Sequence, residues 1–316
     1  MFISGTGTVW SNDSSFYLGK FGSANQLVVS NGALLTGSSG AIGIFASSSN
    51  NLAVVTGQGT RWNAIGGGMG VGIGGSGNRL VISNDATVFD FAGTIGTSVG
   101  SVNNEVLVSD GHWSTDSLSI GYEGAGNPLI ITNNGVVFSD RAIFVGSEAS
   151  STNNRVVVDG GSMRTVNGSG RLDVRRGTNV FNAGLIEANQ LLLTNAQGFF
   201  EFNGGTLITR GATINNGVPF VVGRSGPTPA IWDVRAGATN HLLFTSLTVG
   251  DLSSFNQLLV TNGALLTGPG AVIGANTAAK SNGVVVAGPG SRWEVNNLVI
   301  VASGSFNQLV VSNGGW

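Results

Sequence analysis

The chain is poor in several residue types on which soluble proteins commonly rely. Its 316 residues include no cysteine, 6 prolines and 2 histidines, and only 9% of them are charged. Without cysteine, neither a disulfide framework nor a thiolate metal site can form. No apolar run approaches the roughly 20 residues of a membrane-spanning helix, and the first residues lack a charged segment followed by an apolar one. We therefore expect no membrane insertion by this segment.

Charge of either sign is also scarce. The formal net charge is −2 at pH 7. Nucleic acids and anionic membranes are bound by basic faces that neutralise phosphate groups. We therefore expect no nucleic-acid partner.

Glycine is abundant, with 52 residues, and one segment recurs along the chain. The sequence NQLVVSNGALLT begins at Asn25, and variants such as NNLAVVTGQGTRW at Asn50 lie between its closer copies, at intervals of about 25 residues. Self-similarity with a period of about 20 to 50 residues is typical of solenoids and propellers. The closer copies begin at Asn78, Asn127, Asn256 and Asn307.

Each repeat contains three short strand signals. Runs of Val, Ile, Leu and Thr bounded by Asn and Gly predict strands, and no segment shows the i, i+3, i+4, i+7 pattern of an amphipathic helix. The third run ends in an apolar residue followed by glycine, as at Ile42-Gly43. A propeller blade needs about 40 to 45 residues, but both halves of such a blade would carry the same opening strand here. The sequence therefore predicts an all-β parallel β-helix, or β-solenoid, of about 12 to 13 turns of roughly 25 residues.

The repeats predict a single β-solenoid over residues 1–316. Regular repeats occupy 1–164 and 246–316, and the rhythm breaks in 165–245, where only Asn189 opens a recognisable copy. Both ends fall inside a repeat, so we expect them to be uncapped. Either the chain is a piece of a longer protein, or its ends meet those of other copies and it polymerises head to tail.

Alternation along a strand places the opening asparagine on the same face as the apolar residues two and four positions later. These apolar residues should form the core: Leu27 and Val29, Leu80 and Ile82, Leu129 and Ile131, Leu258 and Val260, Leu309 and Val311. The asparagines should stack at a corner and pass amide hydrogen bonds from turn to turn, as in cross-β structures. The predicted ladder consists of Asn25, Asn78, Asn127, Asn256 and Asn307.

The intervening positions of the opening strands should face outward, and they are apolar in every copy. A contiguous exposed apolar surface larger than a few hundred Å² usually marks a partner interface, so this file predicts lateral association. The alternative is a ladder that the chain's own loops cover or that solvent tolerates. The file comprises Val28, Ala53, Val81, Leu107, Ile130, Val157, Leu192, Leu259, Val285 and Val310.

Half of the basic residues lie in the irregular middle segment or directly before it. Such a cluster fits either a solvated face or a binding site for an anionic polysaccharide or a partner's acidic patch. They are Arg164, Arg171, Arg175, Arg176, Arg210, Arg224 and Arg235.

Residues suited to catalysis are scattered. Polysaccharide-cleaving β-helices need convergent carboxylates for calcium binding or acid–base chemistry, whereas the acids here occur singly. His112 lies in a turn between Asp110 and Asp116, and His241 has no acidic neighbour in the sequence. The GGxGxD calcium repeat is absent. We therefore expect no catalytic residues, no metal ligands and no cofactor.

Tryptophans follow several of the glycine-rich corners. A large ring at such a position either caps a corner of the solenoid or offers a flat apolar platform to a sugar ring. The candidate platforms are Trp62, Trp113 and Trp293.

The repeats resemble those of a known family. Units of the type VxGxGSxW, followed by xLxVG and NxLxVSNGGxL, are similar to the repeat of autotransporter (type V secretion) passengers and PEP-CTERM-associated surface proteins. The matching segments include ISGTGTVW at 3–10, VTGQGTRW at 55–62 and VAGPGSRWEVNNLVI at 286–300. The resemblance covers most of the chain. It implies a right-handed parallel β-helix exported to the cell surface or beyond, usually as a stalk or adhesin.

The sequence therefore favours a non-enzymatic structural and adhesive segment of a secreted or surface-exposed bacterial protein. One alternative is a subunit of an extracellular filament or matrix, assembled by head-to-tail stacking. Another is a polysaccharide-binding or polysaccharide-degrading β-helix. The expected partners are other copies, joined end to end or laterally, a host or matrix surface, or a polysaccharide. The expected location is the bacterial cell surface or the extracellular space.

Overall fold

A computed structural model of the chain describes residues 1–300 and 303–316. Within these ranges all regular secondary structure is β-strand. Each strand pairs in parallel with strands about one repeat earlier or later in the sequence. The chain divides into two compact units. The first contains Met1–Thr165 and Arg175–Thr178, and the second contains Val166–Val174 and Asn179–Trp316. Both are β-solenoids, with about 12 turns between them, which confirms the predicted fold.

In the first unit each turn contributes strands to three columns, which we call the first, second and third columns. The first column contains Phe2–Ser4, Gln26–Ser30, Leu52–Thr56, Arg79–Ser83, Glu105–Ser109, Pro128–Thr132 and the start of Asn154–Thr165. The second contains Val9–Ser11, Leu34–Gly37, Arg61–Ala64, Thr87–Phe89, the starts of His112–Ile120 and Val136–Val145, and the end of Asn154–Thr165. The third contains Phe16–Leu18, Gly40–Ile42, Gly68–Val71, Ala92–Ile95 and the ends of His112–Ile120 and Val136–Val145.

The second unit repeats this arrangement. Its first column contains the end of Gly177–Ala188, then Gly205–Thr209, Ala230–Arg235, Gln257–Thr261, Gly283–Ala287 and Gln308–Ser312. Its second contains Arg171–Val174, Gln190–Leu193, Ala212–Ile214, His241–Leu243, Leu265–Gly268 and Arg292–Val295. Its third contains Phe199–Phe202, Phe220–Val222, Leu247–Val249, Ala271–Ile273 and Leu298–Ile300.

The core lies inside each coil of strands, where the inward side chains of all three columns meet. Burying one such Leu or Ile stabilises the fold by about 1.5 to 3 kcal/mol. Most of the predicted core residues of the first columns are fully buried: Leu27, Val29, Leu80, Ile82, Leu129, Ile131, Leu258 and Val260. The prediction is wrong for Val311, which is 52% exposed, because Gln308–Ser312 pairs on one side only within the described residues.

The register corrects two assignments. Asn51, and not Asn50, occupies the opening position of its turn, so Ala53 faces the core and Val54 takes the outward position. Asn50 instead forms the preceding corner, with a left-handed φ of 57°. The segment after Asn189 belongs to the second column, so Leu192 is not part of the outward file of the first column.

The irregular middle segment contains an aromatic interior. Phe181 and Phe202 stack with ring centroids 5.3 Å apart, and Phe220 packs 4.8 Å from the indole of Trp232. Because these rings occupy inward positions that aliphatic residues fill elsewhere, the repeat pattern fades in the sequence while the columns of strands persist.

Candidate functional site

The predicted asparagine ladder is present in both units and repeats one hydrogen-bond geometry. In each step the carboxamide oxygen of one asparagine accepts two hydrogen bonds from the asparagine one turn earlier. Asn78 Oδ1 accepts from the backbone N–H of Asn51 at 3.0 Å and from its Nδ2 at 2.9 Å. The first unit contains Asn25, Asn51, Asn78, Asn104, Asn127 and Asn154, and the second contains Asn256, Asn282 and Asn307.

The ladder meets the second landmark of the repeat, the glycine that ends the third strand. Gly43 has a φ of 74°, and a Cβ atom added there would lie 2.1 Å from Asn78 Nδ2. Only glycine fits both the left-handed backbone and this close approach. Apart from Asn25, which is exposed, and Asn307, which is half-buried, the asparagines of the ladder are buried and bonded to one another, as expected of a structural device.

The outward file of the first column is continuous in the first unit. It runs in register through seven strands, spaced about 4.8 Å apart. Phe2 is 79% exposed and the other members are half-buried. The members are Phe2, Val28, Val54, Val81, Leu107, Ile130 and Val157. Five of the candidate interface residues thus lie side by side.

In the second unit the corresponding file is interrupted. Asp233 lies between Ile208 and Leu259, and Arg235 donates to its carboxylate at 2.6 Å. Asp233 is not among the predicted members of the file, and the predicted members Leu259 and Val310 face outward in this unit.

Polar residues border the apolar file of the first unit on both sides. On one side, hydroxyl groups bond from turn to turn, as between Ser83 Oγ and Thr56 Oγ1 at 2.9 Å. On the other side, Arg79 and Glu105 form an ion pair at 2.6 Å. An apolar centre with a polar rim is the usual anatomy of a protein interface.

Two of the three candidate sugar platforms, Trp62 and Trp113, lie in the core. Trp62 and Trp113 are each only 1% exposed, because they occupy inward positions of the second column, in register with Leu35 and Val88. Trp293 is half-buried and lies opposite the core residue Leu266. The platform prediction is wrong for Trp62 and Trp113, and Trp293 shares their inward register.

The structure places a carboxylate inside the first unit that the sequence did not single out. Asp90 is fully buried and accepts hydrogen bonds from Trp113 Nε1 at 2.6 Å and from Thr115 Oγ1 at 2.7 Å. Burial raises the pKa of Asp90 to about 6, although these hydrogen bonds lower it in part. The burial of Asp90 could have been predicted from the register of the repeats, because Asp90 lies on the inward side, one turn before Thr115.

The two histidines have opposite environments. His112 begins a strand instead of lying in a turn, and its exposed ring lies 3.3 Å from Asp85 Oδ1. His241 is 1% exposed and shares a 2.9 Å hydrogen bond with Thr209 Oγ1. Burial lowers the pKa of His241 to about 4, so the imidazole is neutral at pH 7.

The arginines of the middle segment are divided between the units, and several have partners. Arg210 pairs with Glu187 at 2.8 Å, and the guanidinium of Arg175 lies 4.8 Å from the centroid of the Phe144 ring. Arg176 Nη1 donates to the carbonyl of Ser147 at 3.2 Å. Binding of an anionic polysaccharide or of a partner's acidic patch by these arginines stays a prediction.

Comparisons with known proteins gave no match to a family model, to a curated protein or to a solved structure. Within the described residues, no three His, Cys, Asp or Glu side chains are grouped so that they could hold a metal ion. No helix in the same ranges has the length and apolar character needed to cross a membrane.

Proposed function

We propose that the chain is a non-enzymatic structural and adhesive segment of a secreted or surface-exposed bacterial protein. The observation that carries the proposal is the outward apolar file of the first unit, Phe2 to Val157. The resemblance of segments 3–10 and 55–62 to repeats of bacterial surface proteins supports the location.

The apolar file presents one outward side chain on each turn of the solenoid and is therefore long and narrow. Such a surface suits a partner that is also extended. Seven strands at about 4.8 Å and five residues at about 3.3 Å give a face of roughly 29 by 17 Å. A patch of several hundred Å² is the scale on which proteins recognise one another. The face can therefore join two copies side by side or attach one copy to another extended surface.

Lateral association can be tested by placing charge in the file. The double variant Val81→Lys/Ile130→Lys puts two ammonium groups in the apolar centre, where association would desolvate them. Sedimentation velocity over a concentration series should show self-association of the native chain and a monomeric double variant. The matched control is Thr87→Lys/Val136→Lys, which adds the same charge on the same turns but on the second column.

The control should associate like the native chain. A native chain that stays monomeric at every concentration, or equal loss of association in both double variants, would contradict the lateral role.

A second candidate is a subunit of an extracellular filament or matrix. This candidate is favoured because the same asparagine ladder occurs in both units. The asparagine at the end of one copy therefore has the hydrogen-bond donors that match the asparagine oxygen at the start of another copy. Asn307 could donate its backbone N–H to an asparagine oxygen as Asn282 does at 2.8 Å. Electron microscopy of the purified chain should then show long fibres, and single short particles would contradict this role.

A further inference from the structure

The third column of the first unit has a groove on its outer surface. The outward side chains are small over consecutive turns and then become large at Phe144, in the order Ala41, Gly70, Thr94, Ser119 and Phe144. These small side chains form the floor of the groove. Ile73 covers the floor at Gly70, since a Cβ atom added to Gly70 would lie 2.8 Å from the side chain of Ile73. The floor is open at Thr94 and Ser119, where the groove has a volume of about 280 Å³.

The walls of the groove combine aromatic rings with groups of both charges. Phe144 closes one end, with the Arg175 guanidinium 4.8 Å from its ring centroid. Tyr122, which is 46% exposed, borders the side, and Glu148 follows it one turn later, held by a 3.0 Å hydrogen bond from its N–H to the Tyr122 carbonyl. The hydroxyls of Ser119 and Ser147 lie 3.0 Å apart within the same lining.

We propose that this groove binds one pyranose unit of a neutral polysaccharide. A pyranose presents a C–H face, which packs against an aromatic ring, and a rim of hydroxyls that both donate and accept hydrogen bonds. Phe144 and Tyr122 supply apolar surface, while Arg175 supplies donors and Glu148 supplies acceptors. This inference rests on the proposed adhesive function and names the chemistry of its partner.

The size and charge of the groove decide between ligand classes. Its volume lies just below the roughly 300 to 1,000 Å³ of sites that enclose drug-sized molecules, which suits a single sugar ring on a longer chain. One guanidinium and one carboxylate in the lining leave no net charge to select a uronic acid. A peptide could not add to the strands here, because Ala92–Ile95 already pairs on both sides.

Affinity electrophoresis tests the proposal with dextran, galactomannan and polygalacturonate cast into native gels. At least one of the two neutral polysaccharides should retard the native chain. Phe144→Ala should bind that polysaccharide about tenfold more weakly, because the stacking surface is lost. Ser119→Phe fills the groove without leaving a cavity and should abolish retardation, so the test does not depend on one variant folding.

The matched control is Phe138→Ala, which removes an outward, half-buried phenylalanine from the second column of the same strand. It should be retarded like the native chain. The proposal is overturned if neither neutral polysaccharide retards the native chain, if only polygalacturonate does, or if Ser119→Phe is retarded as strongly as Phe138→Ala.

The experiment also separates this inference from the lateral association proposed above. Val81→Gln/Ile130→Gln, which keeps the net charge on which migration in the gel depends, should keep native retardation, because its changes lie on the first column. A native chain that self-associates but is not retarded would refute the sugar site alone. Retardation of a chain that stays monomeric at every concentration would support the sugar site and refute lateral association.

Discussion

Replacing Asn104 by alanine tests the ladder where it is complete on both sides. Asn104 is fully buried, and its Oδ1 accepts from the backbone N–H of Asn78 at 2.9 Å and from Asn78 Nδ2 at 3.1 Å. Its own Nδ2 donates to Asn127 Oδ1 at 3.2 Å. Alanine removes all three bonds and leaves the donors of Asn78 facing a site without an acceptor.

The expected cost follows from those two donors. A buried donor left without a partner costs about 1 to 3 kcal/mol, and Asn78 Nδ2 keeps only a 3.4 Å contact with the carbonyl of Ser76. We therefore expect Asn104→Ala to lower the free energy of unfolding by about 3 kcal/mol. This is a large fraction of the roughly 5 to 15 kcal/mol that is usual for a folded domain.

Urea unfolding followed by tryptophan fluorescence measures the effect, because Trp62 and Trp113 are buried in the same unit. The control is Asn63→Ala, an outward, half-buried asparagine whose side chain makes no hydrogen bond to any described residue. It should change the free energy of unfolding by less than about 0.5 kcal/mol. If Asn104→Ala costs no more than Asn63→Ala, the ladder does not stabilise the fold and the reasoning is refuted.

Two of the buried titratable groups, Asp90 and His241, predict opposite pH dependences. Because the pKa of Asp90 is raised from 3.8 to about 6, the stability that it contributes is present below pH 3.8 and is lost as the pH rises through 6, a change of about 3 kcal/mol. The free energy of unfolding of Asp90→Asn, measured by urea titration from pH 4 to pH 7, should lack this loss, and an unchanged pH profile would contradict it. Because the pKa of His241 is lowered from 6.5 to about 4, its contribution is present above pH 6.5 and is lost as the pH falls through 4, again by about 3 kcal/mol. His241→Gln should remove that acid sensitivity in the same titration, and a variant as acid-sensitive as the native chain would show that the imidazole is not buried and neutral.

The columns and the ladder could be predicted because their signals are local. Side chains alternate along a strand, so Asn78, Leu80 and Ile82 fall on one face whatever the neighbouring turns do. Stacking then follows from the repeat, which places like residues at like positions on successive turns.

The errors arose where the sequence allowed two registers or where the partner lay on another turn. At Asn50-Asn51 either asparagine could open the strand, and a slip of one residue exchanges the two faces, so a register that starts at Asn50 puts Ala53 on the outside. Trp62 and Trp113 follow glycine-rich corners, which predicts exposure, whereas their alignment with Leu35 and Val88 puts them in the core. The groove beside Phe144 depends on Arg175, which no repeat pattern connects to it.

Crosslinking between turns tests most directly the claim that successive repeats stack in register. The chain contains no cysteine, so a double variant introduces the only two thiols. Val81 and Leu107 are register partners on adjacent turns, about 4.8 Å apart, whereas Val81 and Ile130 are two turns apart, about 9.6 Å. Disulfides need Cα atoms within about 7 Å. Mild oxidation at low protein concentration should therefore close an intramolecular disulfide in Val81→Cys/Leu107→Cys and not in Val81→Cys/Ile130→Cys, as read by the mass of the intact chain after alkylation of the remaining free thiols. Equal crosslinking in both variants, or crosslinking of the second alone, would contradict the stacked solenoid.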